Sequence, residues 1–403
     1  MPEAVIVATA RSPIGRAFKG SLVELRPDEM AAQVVRAAMA QVPQLPAGSV
    51  EDVLIGCGQP AGEAGYNLAR VVALLSGLPG APGVTVNRYC SSSLQTIRMA
   101  AHAIRAGEGD VFVAGGVEAV SRFGKGMSDG LPDTQNPRFR EATERSAARS
   151  AGGMKPWEPA SGLPDVYIAM GQTAENVREL EGVTRAEMDR FAALSQQRAV
   201  ASQENGFFER EIAPLELPDG KVVSRDDGPR PGTTVEKLAA LQPAFRPDGE
   251  VTAGNSCPLN DGAAAVVVMS DSAADGLGIT PLARIVSSGV SALDPEIMGL
   301  GPVEASRQAL ARAGLGIDDV DLVEINEAFA AQVVPSARHL GVEWDKLNVH
   351  GGAIALGHPF GMTGARIMAT LINGLQVEDK TIGLETMCVG GGQGMAMVVE
   401  RLS

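Results

Sequence analysis

The chain has 403 residues, 45% of them hydrophobic and 20% charged, with a formal net charge of −14; that length leads us to expect roughly two to three domains around a sizeable core. The acidic balance argues against a general nucleic-acid surface, so an anionic ligand would need a local basic pocket. No apolar run approaches the ~20 residues of a membrane span, the opening MPEAVIVATARSPIG does not read as a signal peptide, and four cysteines without metal-ligand spacing point to reduced thiols in a soluble, cytoplasmic protein.

Short β-branched runs at 5–7, 53–55, 111–113, 266–268, 285–286, 322–325 and 397–399 alternate with helix-like stretches, which predicts an α/β chain. The two ends echo each other. Each has an apolar strand, a strand opening after aspartates (Asp52; Asp319 and Asp321), a loop from an asparagine (Asn87; Asn348) into a helix, and a further strand. That order predicts a duplicated fold. In the second half the last two strands meet at the tight turn CVGGGQG (388–394), whereas their first-half counterparts are far apart. The intervening segment, rich in Pro, Gly and charge, therefore reads as inserted. It has a helical pattern over 186–205 and carries Lys155, Arg225, Arg230 and Lys237. The expected division is an N-terminal half over 1–120, completed by 251–272, an inserted covering domain over 121–250, and a C-terminal half over 273–403.

Four places could carry chemistry. Cys90 in NRYCSSSLQTI (87–97) is followed by Leu94, Ile97, Ala101 and Ile104 at helical steps, with Gly107 as a stop, so its thiol sits at a predicted helix start. There the free amides and the macrodipole favour a thiolate and lower its pKa; the bland reading is a small packed cysteine. His358 lies in GGAIALGHPFGMTGAR (351–366), a glycine-rich loop before a helix beginning near Thr363, where backbone can approach a ligand closely. A dinucleotide-binding loop is the rival, but no strand precedes a GxGxxG spacing with a suitably placed acid. Cys388 precedes Gly390, Gly391 and Gly392, whose amides could face an oxyanion or merely form a hairpin. Asn326 opens NEAFA (326–330) directly after the 322–325 run; its amide could hold a catalytic water, or it could cap a helix with Glu327.

With these four assembled, the sequence resembles the thiolase family over essentially its whole length. The motifs stand in family order: the Cys90 segment, VEAVSR (117–122), VTAGNSCPLNDGAAA (251–265), NEAFA, GGAIALGHPFGMTGAR and CVGGGQG. The resemblance implies an α/β chain with a duplicated thiolase fold, five-layered α/β/α/β/α, an inserted loop domain covering coenzyme A, and a homodimer or homotetramer. It also implies site roles: Cys90 as the acylated nucleophile, His358 as its activator, Cys388 as the second acid/base, Asn326 as the holder of an oxyanion-hole water, and the amides of Cys90 and Gly390 as the other oxyanion site. Substrate and coenzyme contacts are implied for Arg230, Lys237, Ala253, Cys257, Met170, Met298 and Phe329. Coenzyme A is then a substrate, and no metal or redox cofactor is needed.

Three positions depart from the commonest family pattern, and they bear on subfamily and substrate. Ser93 stands where glycine is usual, His350 where asparagine is frequent, and Cys257 where a serine often contacts pantetheine. NRYCSSSLQ and PRPGTTVEKLA (229–239) look like the degradative branch, an acetyl-CoA C-acyltransferase that cleaves 3-oxoacyl-CoA as in β-oxidation. The alternative is an acetyl-CoA C-acetyltransferase condensing two acetyl-CoA. A decarboxylating ketosynthase would use two histidines and lack the Cys388 motif, and a non-catalytic acyl-CoA-binding relative would have lost a reactive residue. Finally, 167–170 resembles the family's acyl-facing loop, and small Ala169 there predicts room for chains longer than acetoacetyl, which Ala169→Phe would close.

Overall fold

A computed structural model describes residues 2–153 and 156–403, so Lys155 lies outside the described residues. The chain begins β1 (Ala4–Arg11), the two-residue β2 (Gly15–Arg16), α1 (Pro27–Ala40), β3 (Asp52–Gly56), α2 (Leu68–Leu75), β4 (Gly83–Val86), α3 (Ser92–Ala106) and β5 (Val111–Ala119). Next come α4 (Arg140–Ser150), α5 (Met170–Glu181), α6 (Arg185–Glu204), the small hairpin β6 (Leu215–Glu216) and β7 (Val222–Val223), and α7 (Val235–Ala239). After β8 (Asn260–Ser270) and α8 (Asp271–Gly276) the second half runs β9 (Ala283–Ala292), α9 (Gly301–Ala313), β10 (Leu322–Ile325), α10 (Ala330–Leu340), α11 (Ala353–Leu356), α12 (Thr363–Val377), β11 (Ile382–Val389) and β12 (Gln393–Arg401).

Strand order carries the duplication. The first half reads β4-β3-β5-β8-β1 and the second β10-β11-β12-β9. In each, the pair opening the half-sheet is parallel and the later pairs antiparallel: β3 with β5, then β5 with β8 and β8 with β1; β10 with β11, then β11 with β12 and β12 with β9. The place of β4 is taken in the second half by a parallel bridge between Val323 and Leu347. The halves join edge to edge where β1 meets β9, over Val5↔Arg284 and Ile6↔Ala283.

Because successive strand side chains point to opposite faces, each half-sheet feeds two cores. Val5 and Val7 of β1 pack with α1 and α2 on the outer side, whereas Ile6 packs with Leu94 and Ile97 of α3 and Ile367 and Leu371 of α12. In β12, Met395, Met397 and Val399 join that central core, while Ala396 and Val398 join α9 and α10 in a third. Three cores between five layers are the α/β/α/β/α stack, with α3 and α12 side by side in the middle. Burial on both faces explains why these strands read as continuous apolar runs.

α3 forms as its periodicity predicts: Leu94, Ile97, Ala101 and Ile104 are all buried and Gly107 closes it with φ +77°. Adjacent strands β5 and β8 are linked by residues 120–259, which hold α4 to α7. That excursion is tied to β1 by Arg11, fully buried, whose guanidinium bonds Glu211 at 2.6 Å and grips Asp226 with two bonds of 2.7 and 2.9 Å.

Candidate active site

Cys90 occupies a single 3-10 turn, Tyr89–Ser91, immediately before α3. The turn is built from local side chains. Asn87 Oδ1 accepts the Tyr89 amide at 2.8 Å, and Ser92 Oγ accepts the Arg88 amide at 2.9 Å while donating to the Tyr89 carbonyl at 2.6 Å. Tyr89 is thereby held at φ +41°, an uncommon conformation for a bulky residue that costs ~1–3 kcal/mol and is found where surroundings over-determine it.

The histidine loop docks on this turn through paired helix starts. Ser93 Oγ accepts the Ala365 amide at 2.9 Å, and a Cβ on Gly364 would lie 2.4 Å from the Leu94 nitrogen. The departure at Ser93 thus has a physical role: it fastens the helix that follows His358 to the one that follows Cys90. His358 itself is buried. Its backbone amide donates to Asn260 Oδ1 at 3.2 Å, which Gly357 permits, since any Cβ there would strike the Asn260 amide. Its Nδ1 lies 2.6 Å from Thr363 Oγ1, and that hydroxyl donates to the Pro359 carbonyl at 2.8 Å. The oxygen must therefore accept from Nδ1–H, which leaves Nε2 with a lone pair, facing Asn326 Nδ2 at 3.3 Å. Asn326 Oδ1 is buried and without a partner among the described residues.

Cys388 is the next-to-last residue of β11, fully buried and paired with Gly394 across the hairpin. The turn uses left-handed Gly391 and Gly392, φ +78° and +79°; a Cβ on Gly392 would lie 2.3 Å from the Leu293 carbonyl oxygen. The Gly390 amide hydrogen-bonds the Cys90 thiol. Cys388 and Cys257 each sit near enough to Cys90 for its charge to oppose their own ionisation, after burial as the larger cause. The backbone of Cys257 is fixed to the Ala328 carbonyl at 3.0 Å.

One expectation is corrected. The helix start was expected to acidify Cys90, yet burial pushes its thiol up to about 11, and the amides of Gly390 and Cys90 itself offset only part of that. Burial, with the nearby Arg366 charge, pushes His358 down to about 3. The resting pair is neutral thiol and neutral imidazole.

Of two cavities near the site, one is lined by Cys90, and the other reaches Pro258 without Cys257 itself in its lining. One, of about 440 Å3, is lined by Cys90, Gly390, Ile168, Met170 and Phe360 among others; Phe360 sets its ring edge-on to His358 at 5.3 Å. The other, of about 330 Å3, is lined by Arg230, Lys237, Ala253 and Pro258, the neighbour of Cys257. Met298 and Phe329 line neither: Met298 is core, and Phe329, the residue before α10, lays its ring edge-on to Phe245. Ala169 is also corrected. It is the exposed residue before α5 and is absent from the chamber wall, which takes Ile168 and Met170 on either side of it. His350 stacks on Phe207 at 3.6 Å, outside both cavities.

Glu327 does not cap α10, the helix that follows it, but reaches the first turn of α11 instead. Its buried carboxylate accepts from Ser195, Asn348 and the Ile354 amide, joining the Asn326 loop to the loop before His358. Two further groups stand in stretches the sequence singled out without giving them a role, namely Thr363 at its helix start and Glu118 in VEAVSR. Glu118, next to last in β5, accepts the amides of Gly58, Gln59 and Gly361 at 2.7, 3.1 and 2.9 Å, binding two walls of the larger cavity together; burial raises it to about 7. Among the described residues no three His, Cys, Asp or Glu side chains group to hold a metal ion, and no helix is long and apolar enough to cross a membrane.

A five-layered duplicated fold that gathers two thiols and an imidazole between paired helix starts defines the class. The chain belongs to the thiolase family, matching its N-terminal domain over residues 4–272 and its C-terminal domain over 279–401, and is an acyltransferase. It is 43% identical to a 3-ketoacyl-CoA thiolase of Bacillus subtilis, over 99% of this chain and 100% of that one, and 45% identical to an acetyl-CoA acetyltransferase of Pseudomonas aeruginosa over 100% of both. In three dimensions it is similar to the dimeric peroxisomal thiolase of Saccharomyces cerevisiae, with TM-score 0.89 and 35% identity over 99% and 97% of the two chains. The Bacillus anthracis acetyl-CoA acetyltransferase gives 0.85 and 39% over 100% and 99%.

Proposed function

We propose that the chain is a degradative thiolase, cleaving 3-oxoacyl-CoA with coenzyme A to acetyl-CoA and a shortened acyl-CoA. The observation that carries this reading is the chamber of about 440 Å3 beside Cys90, a volume in the range of pockets that enclose whole small-molecule ligands and far beyond what an acetyl group fills. Coenzyme A enters along the second cavity, with its phosphates toward Arg230 and Lys237 and its pantetheine past Ala253 and Cys257.

His358 Nε2 takes the Cys90 proton as the sulfur attacks C3, and the new oxyanion receives the amides of Cys90 and Gly390. The C2–C3 bond breaks. The thioester enolate so formed is held by the protonated His358 and by a water on Asn326 Oδ1, and Cys388 delivers a proton to C2. Its high thiol pKa suits that role: the proton stays on sulfur until a strong carbon base appears. The Cys388 thiolate then takes the proton of incoming coenzyme A, whose sulfur attacks the acyl group on Cys90, and the departing Cys90 sulfur recovers its proton from His358. The dimeric yeast relative supports assembly as a dimer.

A second reading, condensation of two acetyl-CoA, is supported by the names of the Pseudomonas and Bacillus anthracis relatives. Initial rates of thiolysis over 3-oxoacyl-CoA substrates of increasing length decide between them. The degradative reading expects kcat/KM to rise beyond acetoacetyl-CoA, and a maximum at acetoacetyl-CoA would overturn it.

A further inference from the structure

The chamber beside Cys90 is not the featureless apolar tube that a plain alkyl chain needs. Its lining mixes apolar residues with hydrogen-bonding ones, and Asp129 is the only Asp, Glu, Lys or Arg among them. Asp129 is exposed at the surface yet fixed in place. Its Oδ2 accepts Gln59 Nε2 at 2.8 Å, its amide returns a bond to Gln59 Oε1 at 2.9 Å, and the Tyr89 hydroxyl donates to its carboxylate. Gln59 is anchored in turn through its amide on Glu118. An ionised carboxylate offers about four lone-pair sites, more than these donors occupy. Nearby, Thr134 has already donated its hydroxyl hydrogen to the Leu131 carbonyl, and its oxygen too can only accept.

Ser128, Gln135 and Tyr167 supply donors elsewhere in the lining, but at Asp129 and Thr134 the wall presents acceptors and negative charge. An alkyl terminus would desolvate them without replacement, and a carboxylate terminus would meet a like charge; only an uncharged donor answers both. We infer that this thiolase selects 3-oxoacyl groups bearing a hydroxyl beyond the 3-oxo carbon, bound at Asp129, and rejects acyl groups that end in a carboxylate. The inference rests on the degradative reading above.

The test compares kcat/KM for thiolysis of 3-oxooctanoyl-CoA, its terminal-hydroxyl analogue and its terminal-carboxylate analogue. A hydrogen bond to a charged acceptor is worth about tenfold or more, so the hydroxyl analogue is expected to lead the alkyl substrate by about that factor, with the carboxylate slowest. In Asp129→Ala the hydroxyl advantage falls to about onefold. In Asp129→Asn, which keeps an acceptor without the charge, the carboxylate penalty is relieved while part of the hydroxyl advantage stays. If 3-oxooctanoyl-CoA is cleaved but the hydroxyl brings no gain, or its gain survives Asp129→Ala, the inference fails and the degradative reading stands. Cleavage of none of the three overturns both.

Discussion

Thr363→Val isolates the element that, in the proposed mechanism, makes His358 a base. The Thr363 hydroxyl has one hydrogen, donated to the Pro359 carbonyl at 2.8 Å, so at 2.6 Å from Nδ1 its oxygen acts as acceptor and pins the imidazole proton there. Valine keeps the branched shape and removes both bonds. Thr363 is fully buried, so solvent does not take over, and an orphaned buried donor costs ~1–3 kcal/mol. That sum removes the preference for the tautomer with a bare Nε2, and at 1.36 kcal/mol per tenfold it corresponds to about 5- to 150-fold. The rate of acyl transfer to Cys90, read by rapid quench, is expected to fall about 10- to 100-fold, with KM for coenzyme A within about twofold because Thr363 lines neither cavity. Thr363→Ser, which keeps the hydroxyl, should restore most of the rate. A wild-type acylation rate in Thr363→Val, or a Thr363→Ser enzyme equally slow, would refute the tautomer assignment.

Alkylation of Cys90 by iodoacetamide in the free enzyme should rise about tenfold per pH unit from neutrality toward the thiol value of about 11, because only the thiolate reacts. His358, at about 3, stays neutral across that range and adds no step of its own; a plateau already reached at pH 7 would mean a thiolate–imidazolium pair instead. Cys388→Ala should still exchange acetyl from acetyl-CoA onto Cys90, a step with no carbon acid, while thiolysis drops at least about a thousandfold; full thiolysis in that variant would make Cys388 merely structural. Arg11→Met leaves Glu211 and Asp226 buried without their cation. Urea unfolding should then show a loss of ~3–5 kcal/mol, and a loss below 1 kcal/mol would show that the pair tolerates replacement.

Most strands visible in the sequence were buried on both faces, such as the run at 266–268 inside β8, while β9, with one face only partly buried, showed through 285–286. β4 was not among them, because all four of its residues are only partly buried. β11 was visible only through its turn: Glu385 sits opposite Glu324 in the register and faces the buried Arg366 in the central layer, which interrupts the apolar run. The four candidate positions were legible since each stands near a strand end, a helix start or a glycine turn. Their partners were not. The bond from the His358 amide to Asn260 spans 98 residues, and that from Gly361 to Glu118 spans 243. The acidity expected of Cys90 went astray for a related reason: a helix start is visible locally, but the burial that outweighs it comes from the histidine loop and the β11–β12 turn. At Ala169 the local pattern missed by one residue, since the turn into α5 points its neighbours inward.

Intact-mass and peptide analysis of the enzyme after incubation with 3-oxooctanoyl-CoA, with free coenzyme A left out, tests the central claim most directly. Cleavage without an acceptor should leave a hexanoyl group on Cys90 and release acetyl-CoA, and Cys90→Ser should carry no adduct while keeping the same circular dichroism spectrum. A hexanoyl adduct on Cys388 or Cys257, or one that persists in Cys90→Ser, would contradict the account.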